Sequence, residues 1–325
     1  MLIVSKNFIA RESMKKSCLF IILIILLASC KSTDKNPSVS EYENDFRQRE
    51  VPYENCFAIL PFTLNYTKSG SCPIIKISNS FLLLDTGANY SCVGEKALQD
   101  LFYDSYENVM KQKNLITTDG NFNIFNQSIG YWTIPSYDGD YQNIPFYFSN
   151  YNFTTFDGII GEDCFKKFSN IIIDFKNKVI VFDGEAIMGE EVPMLIDEEG
   201  LCFIEFSCNG KKETGLIDTG SDAFILRSSF FEKTCEYNHN TIEKIEELKK
   251  RKVKLSEPVN YVLQDVSIGK MKYKKLSAKL ASDSQLQMTD EARGRLTEYS
   301  ILGFPFFENK IIQLDYKNKV FRIKK

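Results

Sequence analysis

The amino-acid sequence predicts an all-β protein built from two similar halves, because an ordered set of segments occurs twice along the chain. Residues 171–179 read Ile-Ile-Ile-Asp-Phe-Lys-Asn-Lys-Val, and residues 312–320 read Ile-Gln-Leu-Asp-Tyr-Lys-Asn-Lys-Val. Three further pairs lie upstream in the same order: Gly158-Ile159-Ile160-Gly161 with Ser300-Ile301-Leu302-Gly303, Ser128-Ile129-Gly130 with Ser267-Ile268-Gly269, and Asp85-Thr86-Gly87-Ala88 with Asp218-Thr219-Gly220-Ser221. Short apolar and alternating runs separated by turn residues fill the intervals, which is typical of β-strands. An internal repeat of β units follows from these observations.

Each Asp-Thr-Gly sequence comes directly after a predicted hairpin. In the first half, strands over 74–77 and 81–84 flank a turn at Ser78-Asn79. In the second half, strands over 201–208 and 211–217 flank Asn209-Gly210, a strong hairpin signal because both residues accept positive φ. Both aspartates are therefore expected where a strand leaves its sheet.

A short β segment and then a helix are predicted after each motif. The β segments cover 90–93 and 223–226, and the first helix covers 95–112 with Leu98, Leu101 and Phe102 on one face. The second helix is expected to begin at Asn240 or Thr241. The two lobes are predicted over residues 54–184 and 192–325, joined near Asp183-Gly184.

The composition makes carboxylate chemistry the leading enzymatic possibility. The chain has 325 residues, of which 43% are hydrophobic and 26% charged, and this ordinary globular usage excludes wholesale disorder. The net charge of −3 argues against a nucleic-acid partner. His239 is the single histidine, so a site with several histidine ligands is excluded, and a Ser-His or Cys-His mechanism would depend on this one residue. We expect His239 to lie in a surface loop.

The N-terminal segment resembles a bacterial lipoprotein signal. An apolar run over 18–28, too short to span a bilayer comfortably, follows Lys15 and Lys16, and the sequence Leu27-Ala28-Ser29-Cys30 resembles a lipobox. Residues 1–29 are therefore predicted to be a lipoprotein signal peptide, with a plain secretory signal as the alternative. Cys30 would carry the lipid, residues 30–53 would form a flexible tether, and the protein would lie in the bacterial cell envelope, facing the periplasm or the surface.

Seven cysteines remain after the signal peptide and Cys30 are set aside. An odd number leaves at least one unpaired within a monomer, and the absence of a Cys-x-x-Cys sequence argues against a zinc ribbon. Cys202 and Cys208 are too far apart on one predicted strand to form a disulfide. We expect most of these cysteines to act as small buried hydrophobes.

The paired motifs resemble aspartic proteases of the retropepsin and pepsin kind. In that family an Asp-Thr-Gly sequence is followed, tens of residues later, by two apolar residues and a glycine. The matching positions here are Asp85, Thr86, Gly87 and Ala88 with Ile159, Ile160 and Gly161, and Asp218, Thr219, Gly220 and Ser221 with Ile301, Leu302 and Gly303. Each half looks like one retropepsin unit, and two units in one chain look like the arrangement in pepsin. The resemblance implies a two-lobed fold with a few short helices.

The resemblance also implies a catalytic function for the two aspartates. Asp85 and Asp218 would share one proton and activate a water molecule for hydrolysis of a peptide bond, without a metal or cofactor. The hydroxyls of Thr86 and Thr219 would bond across to the opposite loop, and the apolar-apolar-Gly segments would pack beneath the loops. The partner would be an extended peptide or protein substrate bound by strand addition, and the protein is expected to be a monomer. Two alternatives stay open: a catalytically silent peptide-binding lipoprotein on the same fold, and a protease assembled by homodimerisation.

The sequence departs from the family pattern at the flap, at the residues after the motif glycines, and in the second half, which has more charge and an insertion near residues 280–297. The aromatic residue of the flap cannot be assigned among Tyr131, Trp132 and Tyr137. Glu162-Asp163 and Phe304-Pro305 follow the two motif glycines where retroviral enzymes have Arg-Asn. Ser221 differs from Ala88 and offers a hydroxyl to the neighbouring carboxylate, so the sequence predicts that Asp218 is the ionised member of the pair and Asp85 the protonated one.

Overall fold

The computed structural model describes residues 52–66, 70–107, 109, 124–149, 153–234, 259–263, 265–281, 283 and 299–325. The predicted signal peptide, Cys30, all of the tether except residues 52 and 53, His239, the helix near residue 240 and most of residues 280–297 lie outside these ranges. Among the described residues, no helix has the length and apolar character needed to cross a membrane.

The chain is mostly β-sheet, and the strands of the first half run from β1 to β10. Their bounds are β1 Ala58–Pro61, β2 Thr63–Tyr66, β3 Ser71–Ile77, β4 Ser80–Leu84, β5 Cys92–Val93, β6 Ile124–Pro135, β7 Tyr141–Ser149, β8 Gly158–Ile160, β9 Asn170–Asp174 and β10 Val179–Phe182. Two short helices accompany them, α1 over Glu95–Leu101 and α2 over Glu162–Phe165.

The strands of the second half run from β11 to β21. Their bounds are β11 Glu190–Ile196, β12 Cys202–Cys208, β13 Lys211–Ile217, β14 Phe224–Arg227, β15 Val259–Leu263, β16 Val266–Ile268, β17 Met271–Tyr273, β18 Leu276–Ala281, β19 Ser300–Leu302, β20 Ile311–Asp315 and β21 Val320–Lys324. The helices here are α3 over Ser228–Thr234 and α4 over Phe304–Phe307.

The two lobes have the same strand order. In the first lobe the order is β2-β3-β4-β8-β5-β7-β6, and in the second it is β11-β12-β13-β19-β14-β18-β15. The pairing directions also match: β4 runs parallel to β8 as β13 does to β19, and β5 runs antiparallel to β8 as β14 does to β19. The repeat seen in the sequence is thus a repeat of topology, and the fold is two-lobed.

A central sheet joins the lobes in the order β1-β10-β9-β20-β21-β11. The strands β9 and β20, which carry the repeated Asp-aromatic-Lys-Asn-Lys-Val segments, pair antiparallel at its middle, with Ile173 opposite Ile312. Both side chains are fully buried. Both strands are buried on both faces, which explains the run Ile171–Ile173 in β9, and buried Gln313 is the polar exception in β20.

The predicted first helix is shorter in the structure than in the sequence prediction. α1 ends at Leu101, Phe102 interrupts the helix, and helical residues resume over 103–107. Leu98 is buried in the main apolar core, and Leu101 and Phe102 pack against it. The predicted apolar face is therefore present, although the helix that carries it is broken.

Candidate active site

Both aspartates lie at the ends of strands that a parallel neighbour holds in place. Asp85 follows β4, and its N–H donates to Ile160 O of β8 at 3.0 Å. Asp218 follows β13, and its N–H donates to Leu302 O of β19 at 3.0 Å. The second apolar residue of each apolar-apolar-Gly segment therefore fixes the start of the adjacent dyad loop through its carbonyl. The dyad loops are defined here as residues 85–91 and 218–224.

The two threonines connect the dyad loops reciprocally. Thr86 Oγ1 donates to Ile217 O at 2.8 Å, and Thr219 Oγ1 donates to Leu84 O at 2.7 Å. Each hydroxyl oxygen also accepts the backbone N–H of the other threonine, at 3.1 and 3.2 Å. These four buried hydrogen bonds fix the two loops relative to each other.

Glycine is required next to each threonine because the opposite carboxyl lies against its backbone. A Cβ at Gly87 would lie 2.5 Å from the Asp218 carboxyl carbon, and a Cβ at Gly220 would lie still closer to that of Asp85. Contacts this short do not occur between real Cβ atoms and their neighbours. Each loop thus approaches the other through a residue without a side chain.

The two carboxyls form a buried, mutually interacting pair. Each residue is 1% exposed, and the Asp85 carboxyl is within hydrogen-bonding contact of Asp218. Gly87 N donates to Asp85 Oδ1 at 2.9 Å, and Ser221 N donates to Asp218 Oδ1 at 2.9 Å. Burial raises the pKa of Asp218 well above its usual range, and the charge of Asp85 and the hydrogen bond with it act in the same direction. The pair can therefore hold one proton over a wide pH interval.

The hydroxyl of Ser221 does not contact the carboxyl as the sequence predicted. Ser221 Oγ donates to Ala223 O at 2.9 Å and accepts Ala223 N at 3.4 Å, so it closes a turn within its own loop. Asp218 receives the backbone N–H of Ser221 instead. The expected lowering of the Asp218 pKa by this hydroxyl is wrong, since the hydroxyl bonds within its own loop and does not reach the carboxyl.

The apolar-apolar-Gly segments pack directly beneath the loops. Their four apolar side chains, Ile159, Ile160, Ile301 and Leu302, are buried. A Cβ at Gly161 would lie 2.6 Å from Ala88 O, and one at Gly303 would lie 2.6 Å from Ser221 O. The backbone that follows completes the contact, because Glu162 N donates to Ala88 O at 2.7 Å and Phe304 N donates to Ser221 O at 2.9 Å.

Carboxyl groups support the first dyad loop. Asp163 Oδ1 accepts Ser91 N at 2.8 Å and Ser91 Oγ at 2.6 Å, and Ser91 Oγ accepts Gly161 N at 3.1 Å. Burial raises the pKa of Asp163 to about 6 despite these donors. Neighbouring Glu162 is fully buried, and Tyr316 donates to its Oε1 at 3.2 Å. Burial raises the pKa of Glu162 well above its usual range.

The second dyad loop has different supports. Pro305 stands where the first half has Asp163, so this position offers no carboxylate to the second loop. Cys72 Sγ, from β3 of the other lobe, donates to Gly220 O at 3.2 Å. Lys279 Nζ lies 3.3 Å from Asp222 Oδ1, and both residues are buried.

Sequence reasoning missed Cys72, Ser91, Asp163 and Lys279 as loop supports. Glu162-Asp163 and Phe304-Pro305 were visible only as departures from the family pattern, and the cysteines only as buried hydrophobes. Cys72, Cys92, Cys164, Cys202 and Cys208 are indeed buried thiols, and Cys56 is partly exposed.

The three flap candidates lie on one hairpin. Tyr131 and Trp132 belong to β6, and Tyr137 belongs to the turn between β6 and β7. Tyr137 N donates to Phe57 O, next to the central sheet. Within the described ranges, no group of three or more His, Cys, Asp or Glu side chains is placed to hold a metal ion.

Comparison with known proteins gives structural matches only. No family model and no curated protein matches the sequence. Conglutin gamma, a basic 7S globulin from lupine seeds, matches with a TM-score of 0.49 and 13% identity over 83% of this chain and 95% of its own. Basic 7S globulin from soybean matches with a TM-score of 0.47 and 10% identity over 84% and 95%. A retropepsin-like aspartic protease from Rickettsia conorii matches with a TM-score of 0.28 and 18% identity over 43% and 99%. At TM-scores below 0.5, the functional conclusion rests on the site geometry alone.

Proposed function

We propose that this protein is an aspartic endopeptidase in which Asp85 and Asp218 activate water for attack on a peptide bond. The observation that carries the proposal is the buried contact of the two carboxyls between loops tied by reciprocal threonine hydrogen bonds. Two carboxyls this close share one proton, which supplies a base and an acid at the same place.

The charged carboxyl takes a proton from the water while the protonated one hydrogen-bonds the substrate carbonyl oxygen. The water oxygen bonds to the carbonyl carbon as the carbonyl π bond opens, and the carbonyl oxygen takes the proton of the second carboxyl, which gives a tetrahedral diol. The C–N bond then breaks as the nitrogen receives the proton that the first carboxyl took from the water. One diol hydroxyl returns its proton to the second carboxylate as the C=O bond re-forms, which leaves a carboxylic acid and an amine. Burial and the charge of Asp85 raise the pKa of Asp218, so the two carboxyls titrate as one coupled pair in which either can supply the initial acid.

The substrate class that fits is an extended peptide bound between the lobes. Both dyad loops come from one chain, which supports a monomeric enzyme, and the chemistry needs no metal or cofactor. A silent peptide-binding protein would differ from the proposed enzyme only in its lack of peptide hydrolysis. A protease assembled by homodimerisation would differ from it in molecular size.

The test is hydrolysis of a peptide library between pH 3 and pH 8 by the full chain and by Asp85→Asn and Asp218→Asn. Asp104→Asn is the matched control, since Asp104 is exposed on the helical residues 103–107. We expect both dyad variants to lose hydrolysis with unchanged thermal melting, and the control to keep it. Peptide binding without cleavage by the wild type would support the silent alternative. Hydrolysis found only in the fraction that sediments as a dimer would support the homodimer alternative.

We also propose that Cys30 is lipidated and holds the protein at the membrane of a bacterial cell envelope, after removal of residues 1–29. The support is the Leu27-Ala28-Ser29-Cys30 sequence followed by a polar tether. Cys30→Ala should shift the exported protein from the membrane to the soluble fraction, whereas Cys56→Ala should not. Membrane retention of exported Cys30→Ala would contradict the proposal.

A further inference from the structure

We propose that Cys72 is a positioning residue for the dyad, because its thiol holds the peptide group that binds the Asp218 carboxyl. This inference deepens the proposed hydrolytic function and rests on it. Cys72 is 1% exposed at the second position of β3, and its Sγ donates to Gly220 O at 3.2 Å. The hydrogen bond connects the first lobe to the dyad loop of the second.

The peptide group in question joins Gly220 to Ser221. Its carbonyl accepts the Cys72 thiol, and its N–H donates to Asp218 Oδ1 at 2.9 Å. The thiol therefore fixes the plane of the peptide and polarises it, since hydrogen bonds in series strengthen one another. A better N–H donor favours the charged form of the carboxyl. Cys72 thus acts on Asp218 through one intervening peptide.

The surrounding backbone leaves this peptide little room to turn. A Cβ at Gly220 would overlap the Asp85 carboxyl. A Cβ at Gly70, in the first lobe, would overlap the Asp222 carbonyl oxygen and would lie 3.4 Å from the Phe304 ring. The segment 70–72 therefore contacts the second dyad loop at its glycine and at Asp222.

The position in the second lobe that is equivalent to Cys72 carries no thiol. Ile74 pairs with Leu83, two residues before Asp85, and Phe203 pairs with Leu216, two residues before Asp218. By this register Leu201 is the counterpart of Cys72, and its side chain cannot donate a hydrogen bond. Cys72 consequently gives the two aspartates different surroundings. The thiol acts on the loop of Asp218, the aspartate whose pKa is raised by burial.

Loss of the thiol has a defined expected sign. Cys72→Ala weakens the hydrogen bond that the Ser221 N–H donates to the Asp218 carboxylate. The pKa at which the pair loses its shared proton therefore rises. We expect the alkaline limb of the kcat profile to move up by about half a pH unit. We also expect kcat to fall roughly 3- to 10-fold, with KM nearly unchanged, as the loop geometry loosens. Cys72→Ser keeps a donor and should restore both quantities.

The experiment compares the full-length wild type, Cys72→Ala, Cys72→Ser and Cys208→Ala. Cys208→Ala removes another fully buried thiol and controls for the loss of volume. Cys208 lies in β12 opposite Lys211, at the end of the β12–β13 hairpin away from Asp218. The readouts are kcat and KM against pH on a cleaved peptide, and the pH titration of the Asp218 carboxyl carbon by NMR, assigned with Asp218→Asn. The inference would be overturned if the Asp218 carboxyl titrated in Cys72→Ala as it does in the wild type, or if Cys208→Ala changed the readouts as much as Cys72→Ala does. It would also be overturned if Cys72→Ser behaved like Cys72→Ala.

The NMR titration separates this inference from the proposed function. If the wild type cleaves no peptide, the proposed hydrolysis fails, while the titration still decides whether Cys72 acts on Asp218. If the wild type cleaves peptides and the titration is unmoved by Cys72→Ala, only the role of Cys72 fails.

Discussion

The two dyad loops have the same backbone plan and different supports. In both, a parallel strand fixes the aspartate, a threonine crosses to the other loop, and a glycine accommodates the opposite carboxyl. Beneath the first loop lie the titratable side chains of Glu162 and Asp163, whereas Phe304 and Pro305 occupy these places beneath the second. The repeated backbone plan therefore forms the site, and we expect the different supports to decide how each half responds to pH.

The largest effects are expected where the two halves are equivalent. Gly87→Ala and Gly220→Ala each place a Cβ against the opposite carboxyl, so each should lower kcat/KM by roughly 100-fold or more. Gly139→Ala is the control: its site is open, and its positive φ gives only a modest loss of stability. Peptide hydrolysis and thermal melting are measured on all three. Near-normal hydrolysis by either dyad variant would show that the carboxyls do not approach as described.

The threonine pair should also respond equally in the two halves. Thr86→Ala leaves Ile217 O and the Thr219 N–H without their partner, and Thr219→Ala does the same to Leu84 O and the Thr86 N–H. Each should lower the free energy of unfolding by about 2 kcal/mol in urea titrations, whereas Thr→Ser should retain most of it. Clearly unequal losses would mean that one loop depends less on the crossing bonds.

The acidic support should make the first half responsive to pH. Folding raises the pKa of Asp163 from 3.8 to about 6, so between these values the folded chain binds more protons than the unfolded one. The free energy of unfolding therefore falls as the pH rises from about 4 to about 6, by up to roughly 3 kcal/mol for this group. Asp163→Asn keeps an oxygen for Ser91 and should flatten this part of the curve.

Urea unfolding of wild type and Asp163→Asn across pH 4 to 7 measures the slope directly. The exposed Asp138→Asn serves as the control and should keep the wild-type slope. Parallel curves for wild type and Asp163→Asn would refute the assignment of the pH response to the first-loop support.

The sequence was informative wherever a feature is local or repeated. The strands before both Asp-Thr-Gly sequences and the turn at Asn209-Gly210 follow from apolar pattern and turn chemistry. The supports could not be predicted, because Cys72 and Gly220 are 148 residues apart in sequence and a buried thiol has no pattern that identifies its partner. The break of α1 at Phe102 was missed because the apolar face continues through it.

The smallest effect is expected at Ser221, where a side chain looked important and the structure gives it a local role. Its hydroxyl donates to Ala223 O, and the contact with Asp218 comes from its backbone N–H, which any residue except proline provides. Ser221→Ala should therefore lower the free energy of unfolding by about 1 kcal/mol and leave both limbs of the kcat/KM profile in place. The matched comparison is Cys72→Ala, which is expected to move the alkaline limb while Ser221→Ala does not. A shift of the acid limb to higher pH in Ser221→Ala would instead restore the hydroxyl as a donor to Asp218, and with it the protonation order predicted from the sequence.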